Sequence, residues 1–131
     1  MEFGARALGN RSLIADPTTA GVVDKLNHMI KQRDFWMPFA PAIRIEDAYK
    51  YLKVPETLPK HLSRYMMFGF ETNQKLRDEL SGSLHRADKT ARAQVVDRRT
   101  YPAFHKIITQ FKKITGRGVV LNTSFNLHGL P

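Results

Sequence analysis

The chain has 131 residues, which is enough for one domain with a modest core and too few for two domains of ordinary size. It carries 21 Lys and Arg against 12 Asp and Glu, and this surplus favours polyanionic partners such as nucleic acid, nucleotide phosphates or an anionic membrane. The absence of cysteine excludes a disulfide scaffold, a thiol nucleophile and a thiolate metal site, and cytoplasmic residence is the simplest expectation.

The first third of the chain alternates predicted strands with predicted helices. Ser12 to Ala15 is a short strand, and Asp16-Pro17-Thr18 then supplies a capping residue and a first-turn proline for a helix that ends near Gln32. Phe39 to Ile45 is apolar, but Pro41 removes a ladder donor and therefore indicates an edge strand or a bulge. Glu46 to Leu52 reads as a short helix.

The middle of the chain is less regular. Residues 53–64 read as a connecting loop, Met66 to Glu71 as a strand and Asn73 to Leu80 as a short capped helix. Ser81 to Lys89 is polar and contains glycine, which is typical of a mobile loop. Ala93 to Val96 reads as the next strand.

The last third contains the clearest helix, which Pro102 opens and Gly116 stops. Phe104, Ile107, Ile108, Phe111 and Ile114 form an apolar stripe that we expect to face the core. The alternation of elements predicts one α/β (α+β) domain over residues 1–131, with a twisted mixed open sheet and flanking helices. No apolar run approaches membrane-spanning length, so no membrane association through a span is expected.

The most informative segment is 121–126, where the apolar strand Val119 to Leu121 runs into Asn122, Thr123, Ser124, Phe125 and Asn126. Open α/β sheets bind ligands just beyond the carboxyl ends of such strands, and these side chains can hydrogen-bond an anion or a nucleotide. The alternative is a polar turn in which Asn and Ser bond their own backbone.

Three further segments carry chemistry suited to phosphate. Residues 2–12 combine two glycines, two arginines and small polar side chains, with Arg6 as the candidate anion ligand, although solvated arginines in a turn give the same pattern. Lys31 and Arg33 lie where the first long helix ends, a place where cations also complement the helix dipole. Arg92 precedes a strand, where it either points into a crevice or meets water.

In order, these segments resemble the C-terminal domain of the carbamoyltransferase family that includes the nodulation and antibiotic-tailoring O-carbamoyltransferases. The segment EFGARALGNRS is similar to the family's EFGPRALGNRS, and Lys31-Gln32-Arg33 precedes Pro38-Phe39-Ala40-Pro41 as in the family. The segment from Gly116 to Gly129 is similar to its LNTSFN region. A more distant similarity is to the YrdC-like fold, whose Lys-x-Arg and Ser-x-Asn pairs recur as Lys31/Arg33 and Ser124/Asn126.

The resemblance implies a YrdC-like domain that uses ATP, with Mg²⁺ on the nucleotide, and carbamoyl phosphate to form carbamoyl-adenylate. A separate N-terminal transferase domain would pass the carbamoyl group to an acceptor hydroxyl. By the same resemblance the substrate- and nucleotide-binding residues are Arg6, Lys31, Arg33, Arg92, Asn122, Ser124 and Asn126, and no resident metal site of the protein's own is expected.

Three positions depart from the family pattern: Ala5 replaces a proline, Met37 replaces an arginine, and Leu130 replaces a glutamate. The chain reads as a fragment that lacks the N-terminal transferase domain and the last C-terminal elements. An incomplete sheet would leave an edge exposed, which leads us to expect weak stability, homo-oligomerisation or a covering partner.

Two alternatives remain from other classes of function. A basic nucleic-acid-binding module would use Tyr101 and Phe104 beside Arg98-Arg99 to stack bases, but no nucleic-acid motif is present and this function is not expected. A catalytically silent fragment would only dock to the missing domain. The five histidines lie in different segments without zinc-ligand spacing.

Overall fold

The computed structural model describes residues 7–32, 34, 37–55, 57 and 62–127. The described chain contains a four-stranded mixed sheet with flanking helices, which confirms the predicted fold class. The strands are β1 (Ser12–Ala15), β2 (Ala40–Arg44), β5 (Gln94–Val96) and β6 (Val119–Ser124), with β3 (Leu52–Lys53) and β4 (Glu71–Thr72) as a separate ribbon. The α-helices are α1 (Val22–Leu26), α2 (Ala48–Tyr51) and α3 (Pro102–Thr115).

The sheet order is β1-β6-β2-β5, and β6 is antiparallel to both of its neighbours. β2 is parallel to β5, with Ala42 opposite Gln94. The carboxyl end of β6 therefore lies at the same end of the sheet as the amino ends of β2 and β5. We call this end the β6 end.

Alternating residues of the sheet pack into two core layers, as the pleat of a strand requires. On one face, Phe104 and Ile108 of α3 pack against Ala42, Val96 and Val120. On the other face, a larger cluster gathers side chains from the sheet, α2 and the loops, including Ile43, Tyr51, Phe70, Leu80 and Val119. Both faces of the sheet are therefore covered around its central strands.

β2 corrects one prediction, because it is a regular inner strand and not an edge or a bulge. Its proline, Pro41, lies opposite Leu121 of β6. β5 pairs only with Ala42–Arg44, so the start of β2 has a strand on one side alone. An inner strand accepts a proline at such a point because the missing N–H is not required by a second neighbour.

The first helix begins later than its sequence suggests. Asp16 Oδ1 accepts hydrogen bonds from the Thr18 amide at 2.9 Å and the Thr18 hydroxyl at 2.7 Å, which makes a local turn. α1 starts only at Val22, after Gly21 in the left-handed region with a φ of 71°. The prediction that Asp16 caps this helix is therefore wrong, whereas the predicted end near Gln32 is confirmed.

Two further expectations for the middle and last thirds need correction. The strand predicted over Met66 to Glu71 is reduced to Glu71–Thr72 and an isolated bridge between Phe70 and Ala91. In α3, Phe104 and Ile108 are buried, but Ile107 is 49% exposed and Ile114 is 85% exposed. At about 100° per residue, both isoleucines lie to one side of the buried stripe.

Other predicted elements are present. β1 and α3 have the predicted starts, and α3 ends at Gly116, whose φ is 78°. The segment after Asn73 is a 3₁₀-helix, Gln74–Ser83, and the Asn73 side chain accepts from the Lys75 amide as a cap. Among the described residues, no helix combines the length and apolar character that crossing a bilayer would need.

Candidate functional site

Lys31 reaches the β6 end through an unusual helix terminus. α1 continues directly into a π-helical turn, Asn27–Lys31, in which the Gln32 amide donates to the Asn27 carbonyl at 2.7 Å. Gln32 then leaves the helix in the left-handed region with a φ of 48°. Single π turns inside helices are often found at functional sites, because they shift a side chain away from its α-helical position. Here the turn places Lys31, which is fully buried.

The Lys31 ammonium binds two residues at the end of β6. Its Nζ donates to Ser124 Oγ at 3.0 Å, to the Asn126 carbonyl at 2.7 Å and to Asn126 Oδ1 at 2.8 Å. It also donates to the Ser124 carbonyl, and the Ser124 hydroxyl donates to Asn126 Oδ1. These four acceptors are hydroxyl, amide and carbonyl oxygens, and together they hold the ammonium in place at the end of β6.

Lys31, Ser124 and Asn126 are therefore brought together, although the lysine is 93 residues from the serine and 95 from the asparagine. We call these three residues the lysine cluster. Because Oδ1 of Asn126 faces the ammonium, the Nδ2 group on the other side of its planar amide faces away from it. The lysine cluster combines a buried ammonium with an amide group, which is chemistry suited to an anion.

Asn122 lies outside the lysine cluster. Its side chain is 2% exposed, and its Nδ2 donates to the Ala7 carbonyl at 2.7 Å and to Gln94 Oε1 at 3.0 Å. Gln94 in turn donates from Nε2 to the Leu8 carbonyl at 3.2 Å. The structure therefore uses Asn122 to hold the loop before β1, and its predicted role as a ligand contact stays a prediction.

The structure describes one of the three arginines predicted for the site. Arg92 is exposed and lies two residues before Gln94, which starts β5 at the β6 end of the sheet. Arg6 and Arg33 lie outside the described residues. Arg92 therefore lies near the β6 end, and its part in anion binding remains a prediction.

Gln94 is the residue of this region that the sequence did not single out. It is fully buried between Ala93 and Val95, two apolar residues of the core. A lone glutamine in an apolar strand is a signal of a buried hydrogen-bond partner, because an unsatisfied amide is costly there. The sequence alone does not show which distant group supplies that partner.

Met37 replaces a family arginine and lines an open cavity of about 220 Å³. Thr18, Thr19, Ser81 and Arg86 are among the other lining residues. The positions of the other two departures, Ala5 and Leu130, lie outside the described residues. In the part of the chain that the structure describes, no group of three or more His, Asp or Glu side chains is arranged to hold a metal ion.

The opposite end of the sheet carries charges that neutralise one another. Asp47 accepts from Arg44 Nε at 2.8 Å and from Lys112 Nζ at 2.6 Å, and Glu46 lies 2.9 Å from His105 Nε2. Burial alone would raise the pKa of Asp47, but the hydrogen bonds from Lys112 and Arg44 and the charges of both hold the pKa below its ordinary value of 3.8. This network ties α3 to the end of β2.

The lowered pKa values of Asp47 and Glu46 predict that the folded protein loses stability in acid. Burial alone would raise the pKa of Glu46, but its hydrogen bonds to His105 and to its own backbone, together with the charges of His105 and Arg44, lower the pKa. A carboxylate with a depressed folded pKa stabilises the protein above its ordinary pKa and loses that contribution as the pH falls. We expect the Tm to drop between about pH 5 and about pH 3, and the drop to be smaller in Asp47→Asn. Thermal unfolding across this range, at constant ionic strength, measures both; an equal drop in Asp47→Asn would contradict the assignment.

One of the two aromatic side chains proposed for base stacking is buried. Phe104 is 3% exposed and packs in the core with Ile108 and Val120. An aromatic side chain must be accessible to stack on a base. Phe104 therefore cannot serve the nucleic-acid interface that the sequence left open.

Comparison with known proteins agrees with the resemblance read from the sequence. The model of the family described as the carbamoyltransferase C-terminus matches residues 1–131. An uncharacterised protein of Methanocaldococcus jannaschii is 41% identical over 98% of the chain and 20% of its own length. Nodulation protein NolO of Bradyrhizobium diazoefficiens is 40% identical over 99% of the chain and 23% of its own length.

Nodulation protein NolNO of Sinorhizobium fredii is also 40% identical, over 95% of the chain and 18% of its own length. The chain thus spans about a fifth of the length of the curated relatives it matches. The match covers every segment that builds the β6 end. The chain therefore belongs to the carbamoyltransferase C-terminus family.

Proposed function

We propose that this domain binds ATP and carbamoyl phosphate at the β6 end of the sheet and forms carbamoyl-adenylate there. The observation that carries the proposal is the convergence of Lys31 with Ser124 and Asn126 from segments more than 90 residues apart. Both ligands are anions, and a buried ammonium attracts an anion more strongly than an exposed one because water screens it less.

The reaction needs positioned charges and asks little covalent chemistry of the protein. A carbamoyl oxygen forms a bond to the α-phosphorus of ATP, the bond from that phosphorus to pyrophosphate breaks, and pyrophosphate leaves. Release of phosphate from carbamoyl phosphate consumes one water. Charge builds on the phosphate oxygens during the transfer, and fixed donors and cations stabilise it.

Each member of the lysine cluster has a part in this proposal. Lys31 supplies the fixed positive charge, and Ser124 and Asn126 hold its ammonium at the end of β6, where the ligand would bind. Arg92 lies two residues before β5 at the same end of the sheet and would add a second cation. Arg6 and Arg33 are proposed phosphate ligands on the family resemblance alone.

A magnesium ion would enter with the nucleotide. Mg²⁺ in nucleotide sites is commonly held by phosphate oxygens and water with few protein ligands. The described residues offer no carboxylate cluster to bind it on their own, so the phosphates of ATP would supply most of its ligands. When bound, the ion would offset the charge of the phosphates.

Exchange of labelled pyrophosphate into ATP tests this function. We expect exchange that depends on carbamoyl phosphate, because only the adenylate-forming step is reversed by pyrophosphate. The assay is run on this chain and on full-length NolO as a relative. Exchange in neither protein would reject the proposal, whereas exchange in the relative alone would restrict the activity to the longer protein.

A further inference from the structure

The loop before β1 is held against the sheet by two side chains. Asn122 donates to the Ala7 carbonyl at 2.7 Å, and Gln94 donates to the next carbonyl along the chain, that of Leu8, at 3.2 Å. The two amides also bind each other, since Asn122 Nδ2 donates to Gln94 Oε1 at 3.0 Å. Two consecutive peptide groups are thus fixed by one buried pair, which we call the amide pair.

The amide pair spans β2, because Asn122 belongs to β6 and Gln94 to β5. Asn122 lies opposite Ala40, and Gln94 lies opposite Ala42. These two alanines are small, so the longer amide side chains meet above the strand that separates them. Larger residues on this face of β2 would keep the amides apart.

The packing of the loop adds a second constraint. Gly9 has a φ of 101°, and a Cβ built on it would lie 2.4 Å from Phe104 Cδ1. Its amide donates to Ser12 Oγ at 3.2 Å, which connects the loop to the first residue of β1. Ala7 is 3% exposed. The loop is therefore held by hydrogen bonds on the sheet side and by close contact with α3.

The amide pair lies beside the lysine cluster. Asn122 precedes Ser124 by two residues on β6, so their side chains project from the same face of the strand. Ser12 is paired with Ser124 across β1 and β6. A displacement of the loop at Ala7 and Leu8 would therefore change the surroundings of the anion site without removing any of its charged groups.

We propose that Gln94 and Asn122 are positioning residues, whose buried amide pair fixes the main chain of residues 7–9 as one wall of the nucleotide site. This inference rests on the proposed function for the identity of the ligand. It adds which main-chain segment forms one wall of the site and which side chains hold that segment in place. Neither side chain needs to touch the nucleotide.

Gln94→Met tests the inference, since methionine is similar in length and makes neither hydrogen bond. Gln110→Met is the matched control, because Gln110 is exposed on α3. Two measurements are made: hydrogen exchange of a peptide covering residues 7–12, and ATP affinity by calorimetry. We expect Gln94→Met to raise exchange in that peptide about tenfold, to leave exchange in α3 unchanged, and to weaken ATP binding about tenfold.

Gly9→Ala is a second variant for the case in which Gln94→Met does not fold. It pushes the loop away from Phe104 and leaves both amides in place, and we expect the same two effects. Unchanged exchange in residues 7–12 of Gln94→Met would overturn the anchoring by the amide pair. Faster exchange with unchanged ATP affinity would overturn the role as a wall of the site.

The hydrogen-exchange measurement needs no ligand, so the two proposals can fail separately. A wild-type protein that binds no ATP contradicts the proposed function and removes the nucleotide from this inference. The inference alone is contradicted if the wild type binds ATP normally and a variant with faster exchange in the loop binds ATP equally well.

Discussion

Replacement of Lys31 by methionine is expected to weaken ATP binding by about a hundredfold or more, because fixed cations at phosphate and oxyanion sites contribute on that scale. The ammonium is fully buried and donates to Ser124 and Asn126. Methionine keeps much of the length of the side chain and removes the charge. Calorimetric titration with ATP measures the change in affinity, and thermal unfolding shows how much of the loss comes from reduced stability.

Lys25→Met is the matched control for this substitution. Lys25 lies on α1, six residues before Lys31, and is exposed. Lys25→Met removes one positive charge from the same helix, so a general dependence of ATP binding on net charge would affect both variants equally. Equal weakening in the two variants would contradict a specific role for Lys31, and so would unchanged affinity in Lys31→Met at intact Tm.

Gly118→Ala is expected to destabilise the domain by about 2–4 kcal/mol and to lower its Tm by roughly 10 °C. A Cβ at Gly118 would lie 2.0 Å from Asp47 Oδ2 and 2.6 Å from Asp47 Cγ. Asp47 cannot yield easily, because Arg44 and Lys112 both hold it. The methyl group would therefore break a largely buried ion-pair network or shift the start of β6.

Gly69→Ala serves as the control for the loss of a glycine. Gly69 is exposed, and the nearest atom to an added Cβ is Thr90 Oγ1 at 3.9 Å. Denaturant unfolding of both variants gives the free energies, and Gly69→Ala should remain within about 0.5 kcal/mol of the wild type. A similarly small effect in Gly118→Ala would show that the contact with Asp47 is not tightly packed.

The sequence predicted the parts of the site better than their arrangement. A helix end at Lys31 and a strand end at Ser124 follow from local patterns, because helical spacing and an apolar run are visible within a few residues. Their contact depends on where α1 docks beside β6, which no local pattern specifies. The family resemblance assigns Lys31, Ser124 and Asn126 to one site without saying which of them meet, and the structure places the three residues in contact.

The failures of sequence reasoning share one cause, which is that tertiary pairing decides them. The local sequence predicts an edge position for Pro41, because a single strand shows no sign of how far its neighbours extend. Ile107 was assigned to the core because the apolar stripe of α3 is wider than the surface that the sheet covers. No local pattern marks Gln94, because its partners, Asn122 and Leu8, are distant in sequence.

The central claim is that the lysine cluster supports the formation of carbamoyl-adenylate, and pyrophosphate exchange with and without Lys31 tests it most directly. The wild type should incorporate labelled pyrophosphate into ATP only when carbamoyl phosphate is present. Lys31→Met should lose this incorporation, while Lys25→Met keeps it. Incorporation that is as fast in Lys31→Met as in the wild type, or that needs no carbamoyl phosphate, would contradict the account.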